Sequence, residues 1–168
     1  TAAYMNVASP GASDSLKFGA GSFSIECWLK VTITAQAAIV SKGITSTVTS
    51  GLGWELGLNY DNTLTNAGKA YIAILIPGYD ADTGIANYAQ YLSAGKAIND
   101  GKWHHIVAYR DKGLIVIYVD GVLQNKAVLD NISVNVDDSS NPPVIIGRAE
   151  TAANTRTYTG RIDELILY

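Results

Sequence analysis

The sequence predicts an all-β chain folded as a two-sheet antiparallel β-sandwich of jelly-roll type. Three observations carry this prediction. The composition holds 16 glycines and 10 tyrosines among many Thr and Val residues, a mixture that favours strands and tight turns. The stretch from Ile98 to Asn125, INDGKWHHIVAYRDKGLIVIYVDGVLQN, reads as successive strands with their turns. Strand-like runs then recur along the chain with turn signals roughly every 8–12 residues, the spacing of a sandwich. No helix of useful length, heptad run or internal repeat interrupts them.

The stretch 98–125 is the least ambiguous. Residues 103–109 alternate large side chains on both faces, so both faces are expected to be half to fully buried. Asp111-Lys112-Gly113 supplies a tight turn, and 114–119 returns as a β-branched run. Asp120-Gly121 is the dipeptide that a two-residue hairpin with positive φ demands, and 122–124 begins a third strand.

From the N-terminus, 3–8 reads as a short edge strand and 9–14 as a loop. Residues 22–31 form a strand with Phe23, Ile25, Cys27 and Leu29 on one face and Ser24, Glu26, Trp28 and Lys30 on the other. Residues 37–41 and 54–59 are the next strands, separated by a Thr/Ser-rich loop at 44–51. Asn59-Tyr60-Asp61-Asn62 turns the chain, and 70–76 is another β-branched run. Residues 77–94 read as the longest irregular piece, and a connection of that length usually carries function or disorder. Its three tyrosines argue against disorder. After the meander, 131–136 is expected to extend a strand, 137–143 to be a loop, 144–148 a strand, 149–157 a polar loop and 161–168 the closing strand.

At 168 residues the chain is expected to be one domain, 1–168, with a core that needs no staples. A net charge of −3 with 16% charged residues leaves no basic footprint for nucleic acid and no polybasic patch for a membrane surface. No apolar run approaches the roughly 18 residues of a membrane-spanning helix, and no signal peptide is evident. The single Cys27 excludes an internal disulfide and a cysteine metal cage. A start at Thr1 and a stop on the last strand suggest a module excised from a larger secreted protein, and hence an extracellular or cell-surface location.

Asp100-Gly101-Lys102-Trp103-His104-His105-Ile106-Val107-Ala108, followed by Ile117-Tyr118-Val119-Asp120-Gly121-Val122, resembles the bacterial laminin-G-like domains, a concanavalin-A-like and pentraxin-related family. Phe23-Ser24-Ile25-Glu26-Cys27-Trp28-Leu29-Lys30 resembles that family's second-strand pattern, and Gly160-Arg161-Ile162-Asp163-Glu164-Leu165 its closing strand. The resemblance covers nearly the whole chain in order, and it implies a jelly roll of the concanavalin-A-like lectin/glucanase type. It also implies a non-catalytic carbohydrate-binding, lectin-like module of a secreted or surface bacterial protein. The partners would be a polysaccharide or glycan and other domains of the same polypeptide. A protein-interaction or adhesion domain, as among animal laminin-G relatives, is the alternative, with a structural spacer behind it.

The residues themselves argue against catalysis. His104 and His105 alternate across a strand, so they cannot jointly hold one metal, and each is expected to be satisfied locally. No GxSxG elbow is present. The β-jelly-roll glucanases related by fold place paired carboxylates on one strand face, whereas the adjacent Asp163 and Glu164 are expected on opposite faces, and Glu26 has no acidic partner two residues away.

Calcium would need hard oxygen ligands. Asp137, Asp138 and Asn141 form one candidate cluster, Asn59, Asp61 and Asn62 a second, and Asp80 and Asp82 a third. Where the pentraxin resemblance calls for an Asp-Asn pair, the chain reads Ala35-Gln36-Ala37. Glu150 sits near that family's acidic ligands, but alone it does not complete the double site. One structural Ca2+, with Asp137, Asp138 and Asn141 as weak candidates, stays open against the commoner outcome of solvated carboxylates.

Carbohydrate has the better positive case, because sugars are met by aromatic faces flanked by Asp, Asn and Gln. Tyr79, Asp80, Asp82, Asn87, Tyr88, Gln90 and Tyr91 offer both kinds of group in one segment. Tyr60, Asp61 and Asn62 are expected at a neighbouring rim. The alternative is that these tyrosines cap the core. Trp28 is expected to lie under a loop in preference to flooring a groove, and Trp54 and Trp103 are expected in the core.

Overall fold

The computed structural model describes residues 4–8, 16–43, 53–80, 85–129, 135–137, 142–150 and 155–168, and the side chains of these apart from 76–80, 85–90, 150 and 155. In chain order the strands are β1 (Met5–Val7), β2 (Phe23–Val31), β3 (Ala37–Lys42), β4 (Gly53–Leu58), β5 (Lys69–Asp80), β6 (Ile85–Ala97), β7 (Trp103–Asp111), β8 (Leu114–Val119), β9 (Val122–Val128), β10 (Val144–Ile146), β11 (Arg148–Glu150), β12 (Thr155–Thr157) and β13 (Gly160–Leu167). One sheet runs β1-β10-β3-β4-β5-β6, with the hairpin β11–β12 attached through a parallel bridge to β3. The other runs β13-β2-β7-β8-β9. Both are otherwise antiparallel, so the expected two-sheet jelly roll is the fold.

Alternation at period two builds the core. β2 sends Phe23, Ile25, Cys27, Leu29 and Val31 inward, as its sequence pattern predicts. They meet Trp54, Leu56 and Leu58 of β4 and Ile72 and Ile74 of β5 in one apolar cluster. Phe18 stacks on Phe23 at 4.6 Å between ring centroids, and both tilt onto Trp54. Each large side chain so buried contributes about 1.5–3 kcal/mol.

The hairpin at Asp120-Gly121 forms as expected, with φ of 53° and 75° at its two central residues and Val119 paired with Val122. Asp120 also fastens the turn to its surroundings. Its Oδ1 accepts the His105 amide at 3.0 Å, and its Oδ2 accepts Lys96 Nζ at 2.6 Å and His104 Nδ1 at 2.9 Å. Desolvation pushes the carboxyl up, but Lys96, His104 and the His105 amide outweigh it and hold Asp120 at about 2. A depressed carboxyl stabilises the fold above its unfolded pKa and loses that contribution as pH falls through the folded one. Asp120→Ala removes these bonds and leaves a Cβ-bearing residue at positive φ, so it should cost about 2 kcal/mol after allowing for partial exposure of the ion pair. Urea unfolding at neutral pH measures this, and the gap from wild type should narrow below about pH 4.

Several expectations need correction. Of residues 77–94, those described are strand and not irregular: β5 continues to Asp80 and β6 starts at Ile85, with Ile76 opposite Tyr88 and Pro77 opposite Asn87, while 81–84 lie outside the described residues. The register shifts between Pro77 and Asp80, and a bulge is where a strand tolerates proline. The single strand at 144–148 is broken at Gly147, whose φ of 84° separates β10 from β11. Residues 149–157, read as a loop, hold most of the hairpin β11–β12. Of 131–136, the described residues 135–136 are not strand, and 131–134 lie outside the described residues.

Trp54 is fully buried as expected, but Trp103 is 40% exposed and belongs to the outer face of the five-stranded sheet. Trp28, 37% exposed, is not under a loop and lines an open cleft instead. Asp163 and Glu164 do not face opposite sides. The register shifts between Asp163 and Ile166, Glu164 takes φ of 47°, and both residues line that same cleft. A bulge adds a residue to one strand and re-aims its side chains.

Candidate functional site

Strand alternation decides what the larger sheet presents on the side away from the core. With Trp54, Leu56 and Leu58 turned inward, Glu55 and Gly57 of β4 point outward. By the same rule β5 buries Ala70, Ile72 and Ile74 and presents Tyr71 and Ala73. β6 buries Leu92 and Ala94 and presents Tyr91 and Ser93. The register sets Glu55 opposite Ala73, Ala73 opposite Tyr91 and Gly57 opposite Tyr71. Tyr71 and Tyr91 are therefore diagonal neighbours, within reach of aromatic rings.

They meet edge to face at 5.8 Å. Tyr60, carried by the turn after β4, stacks on Tyr91 at 5.2 Å with 27° between the ring planes and meets the edge of Tyr71 at 6.2 Å. Such offset and edge geometries are the favourable ones for aromatic pairs. Behind the rings lies Glu55, which has no exposed surface. Arg156 of β12 reaches it with Nη2 at 2.7 Å, and Arg156 Nη1 donates to the Tyr71 hydroxyl at 3.2 Å. The Tyr71 hydroxyl in turn donates to Glu55 Oε1.

Burial pushes the Glu55 carboxyl up, while Arg156 and the Tyr71 hydroxyl pull it down. Burial and the Glu55 charge push Tyr71 well above the usual phenol range, and the same two causes raise Tyr91. Tyr71 and Tyr91 therefore stay neutral at physiological pH. Glu55 is sealed and paired, so it is not placed as a general acid or base. What reaches solvent is Tyr91, 41% exposed, with the half-buried Tyr60 stacked on it. Chemically this is a preorganised aromatic shelf, its exposed ring that of Tyr91 and its buried support the Tyr71 hydroxyl on Glu55 and Arg156.

The sequence-predicted residues divide accordingly. Tyr60 and Tyr91, expected in two neighbouring pieces, are brought into contact. Asp61 and Asn62 hold the loop that carries Tyr60. Asp61 accepts the Thr63 amide and hydroxyl at 3.1 and 2.8 Å and Asn66 Nδ2 at 2.9 Å. Slight desolvation raises its carboxyl, and those hydrogen bonds outweigh it and hold it below the usual range. Asn62 Oδ1 accepts the Gln36 amide at 3.2 Å. Tyr79, Asp80, Asn87, Tyr88 and Gln90 lie on β5 and β6, but their side chains are outside the described residues, as is Asp82 altogether.

Glu55, Tyr71 and Arg156 are the residues that sequence reasoning missed. Glu55 and Arg156 are 101 positions apart. The one available signal was a carboxylate flanked by Trp54 and Leu56 in a strand, which needs a partner if anything covers it.

Other reactive candidates are spoken for. His104 is buried, with Nδ1 on Asp120 and Nε2 on Asp100 at 3.0 Å, and His105 Nε2 meets Glu26 at 2.9 Å. The two rings do face opposite sides. Cys27 is buried, and desolvation, with a smaller push from Glu26, raises its thiol to about 12; such a thiol is inert. Asp137 accepts the Phe18 and Gly19 amides at 3.0 and 2.9 Å, clasping that loop, while Asp138 and Asn141 lie outside the described residues. Among the described residues, no three His, Cys, Asp or Glu groups gather as a metal site would require.

A family model for the concanavalin A-like lectin/glucanases superfamily matches residues 2–168. No curated protein sequence matches the chain. Among solved structures, the CBM40 of a Ruminococcus gnavus IT-sialidase bound to α2,3 sialyllactose is similar with a TM-score of 0.69 at 12% identity, over 100% of this chain and 87% of that one. Domains LG4-5 of the mouse laminin alpha1 chain give 0.66 at 11% identity; the match covers 99% of this chain but only 39% of that one. A heptameric SAP-like pentraxin from Limulus polyphemus gives 0.52 at 12% identity, over 98% and 74%. At these identities the likeness is one of fold.

Proposed function

The chain belongs to the concanavalin A-like lectin/glucanases superfamily, and from that premise we propose that it is a non-catalytic, lectin-like module that binds carbohydrate. The observation that carries this reading is the Tyr60–Tyr71–Tyr91 cluster, backed by the buried Glu55–Arg156 pair. Apolar C–H faces of a sugar stack on aromatic rings, and hydroxyls beside the rings exchange hydrogen bonds with it. Rings locked before the ligand arrives lose little freedom on binding, which raises affinity. The sialyllactose-bound neighbour supports the same class of ligand. In this reading the module works outside the cell or at its surface, beside other domains of its polypeptide.

Calorimetric titration of the folded domain against a panel of plant, microbial and host glycans tests it. Binding to one glycan class is expected, weakened at least about tenfold by Tyr91→Ala and by Tyr60→Ala. No binding across the panel, or binding that neither substitution alters, would overturn the assignment. Running each titration with calcium and with a chelator tests the proposed structural ion around Asp137. A chelator that changes neither affinity nor melting temperature would remove the metal from the account.

A further inference from the structure

The opposite sheet carries a second aromatic surface that the tyrosine cluster does not involve. On its outer face Trp28 pairs in register with His105 on one side and Asp163 on the other, and Lys30, one step along, pairs with Trp103 and Arg161. Trp28 and Trp103 are thus diagonal neighbours. Together with Asp163 and Glu164 they line an open cleft of about 370 Å³.

Three features set this cleft apart from an ordinary patch of exposed apolar residues. The first is that Trp28 is held from behind. Its ring lies 5.0 Å from that of His105, and His105 is fixed by Glu26, which leaves the other indole face to the cleft. The second is that both carboxylates are delivered by a distortion. The bulge and the φ of 47° at Glu164 are costly for a residue with a side chain, and the Glu164 amide donates to Asp163 Oδ1 at 2.9 Å to hold the geometry. The third is that a hollow of about 420 Å³ lies alongside, lined in part by Lys30 and Arg161.

We propose that the Trp28–Trp103 cleft is a second, independent glycan site, for a neutral oligosaccharide longer than one sugar. The indoles take the C–H face of a pyranose, Asp163 and Glu164 accept its hydroxyl protons, and Lys30 and Arg161 donate to the next residue along. Two adjacent carboxylates repel a uronate or sialate at the Trp position, so an uncharged sugar occupies it. With the tyrosine site on the other sheet, the module is bivalent. One polypeptide can then hold two glycan chains or two stretches of one chain, with the gain in avidity that linkage gives.

Tryptophan fluorescence reads this site directly, since Trp54 is buried in the core and serves as a constant background. The domain is titrated with neutral cello-, xylo- and manno-oligosaccharides from mono- to hexasaccharide, and with an oligogalacturonate. A spectral shift is expected for one neutral series, with affinity rising at least about tenfold with chain length and little response to the uronate. Trp28→Ala and Trp103→Ala should each weaken it at least about tenfold, while Tyr91→Ala changes it less than about twofold. Because both indoles are partly exposed, a thermal melt should show the variants folded. Four outcomes would overturn the assignment: no response to any neutral oligosaccharide, a response lost in Tyr91→Ala instead, cleavage of the sugar, or self-association that Trp28→Ala removes. The last would make the cleft a contact between two copies of the chain. Loss of the tyrosine site alone would leave this result untouched, so the two readings fail separately.

Discussion

Arg156→Leu should destabilise the domain by about 3–5 kcal/mol at neutral pH, because it leaves Glu55 charged, buried and without its counter-ion. Glu55 has no exposed surface, and besides Arg156 it is held by the Tyr71 hydroxyl. In a domain of this size the loss lowers Tm by roughly 10 °C or more. The sign of the pH dependence is specific. Burial raises the Glu55 pKa in the folded chain, so this group favours folding most below its unfolded pKa and progressively less as pH rises through the folded one. Removing Arg156 removes a lowering influence and raises the folded pKa further. The variant is then relieved by protonating Glu55, and its deficit against wild type should shrink as pH falls from about 7.5 toward about 5. Adding Glu55→Gln to Arg156→Leu should recover part of the loss at neutral pH, since a neutral amide is cheaper to bury than an unpaired charge. Urea unfolding of wild type, Arg156→Leu, Glu55→Gln and the double variant at both pH values measures the coupling. A deficit below about 1 kcal/mol with no pH dependence would mean that water reaches the pair.

That pair also marks the limit of what the sequence makes legible. Local signals are strong where one residue decides the backbone. Asp120-Gly121 specifies its turn, and the alternation from Phe23 to Val31 assigns every side chain of β2 to its face. The misreadings fall where a partner distant in sequence decides. Pro77 and Gly78 look like breakers, yet β5 passes through them because β6 pairs with it on both sides of a bulge. Asp163 and Glu164 should alternate across a strand, and a register shift against β2 puts both on one cleft. Trp103 looks like core because it heads an apolar run, but register with Lys30 places it on the outer face. Tyr60 and Tyr91 were legible as candidates by residue type. Their contact, and the Glu55–Arg156 support beneath, follow only from the order of strands in the sheet.

Gly57→Ala should cost about 2 kcal/mol or more and weaken glycan binding at the tyrosine site at least about tenfold, although it adds one methyl group and removes nothing. Gly57 lies opposite Tyr71 in the β4–β5 pair, and the Tyr71 ring lies over it. A Cβ at this position would come 2.5 Å from Tyr71 Cζ, 2.6 Å from its hydroxyl oxygen and 2.7 Å from the Ala37 carbonyl oxygen. The carbonyl belongs to β3, whose pairing with β4 runs through Ala37 and Ala38, so backbone cannot give way without opening the sheet. The ring must move instead, away from Glu55 and out of contact with Tyr60 and Tyr91. Tyr71→Phe is the matched control. It keeps the ring on Gly57 and removes only the hydroxyl, so it should lose about 1–3 kcal/mol of stability through the Glu55 network while leaving glycan affinity within about twofold. Unfolding curves and calorimetric titrations of the two variants separate the roles, because one displaces the ring and the other only unties it. Wild-type affinity in a folded Gly57→Ala protein would show that Tyr71 does not support the Tyr60–Tyr91 shelf, and would move the binding surface off this face of the sheet.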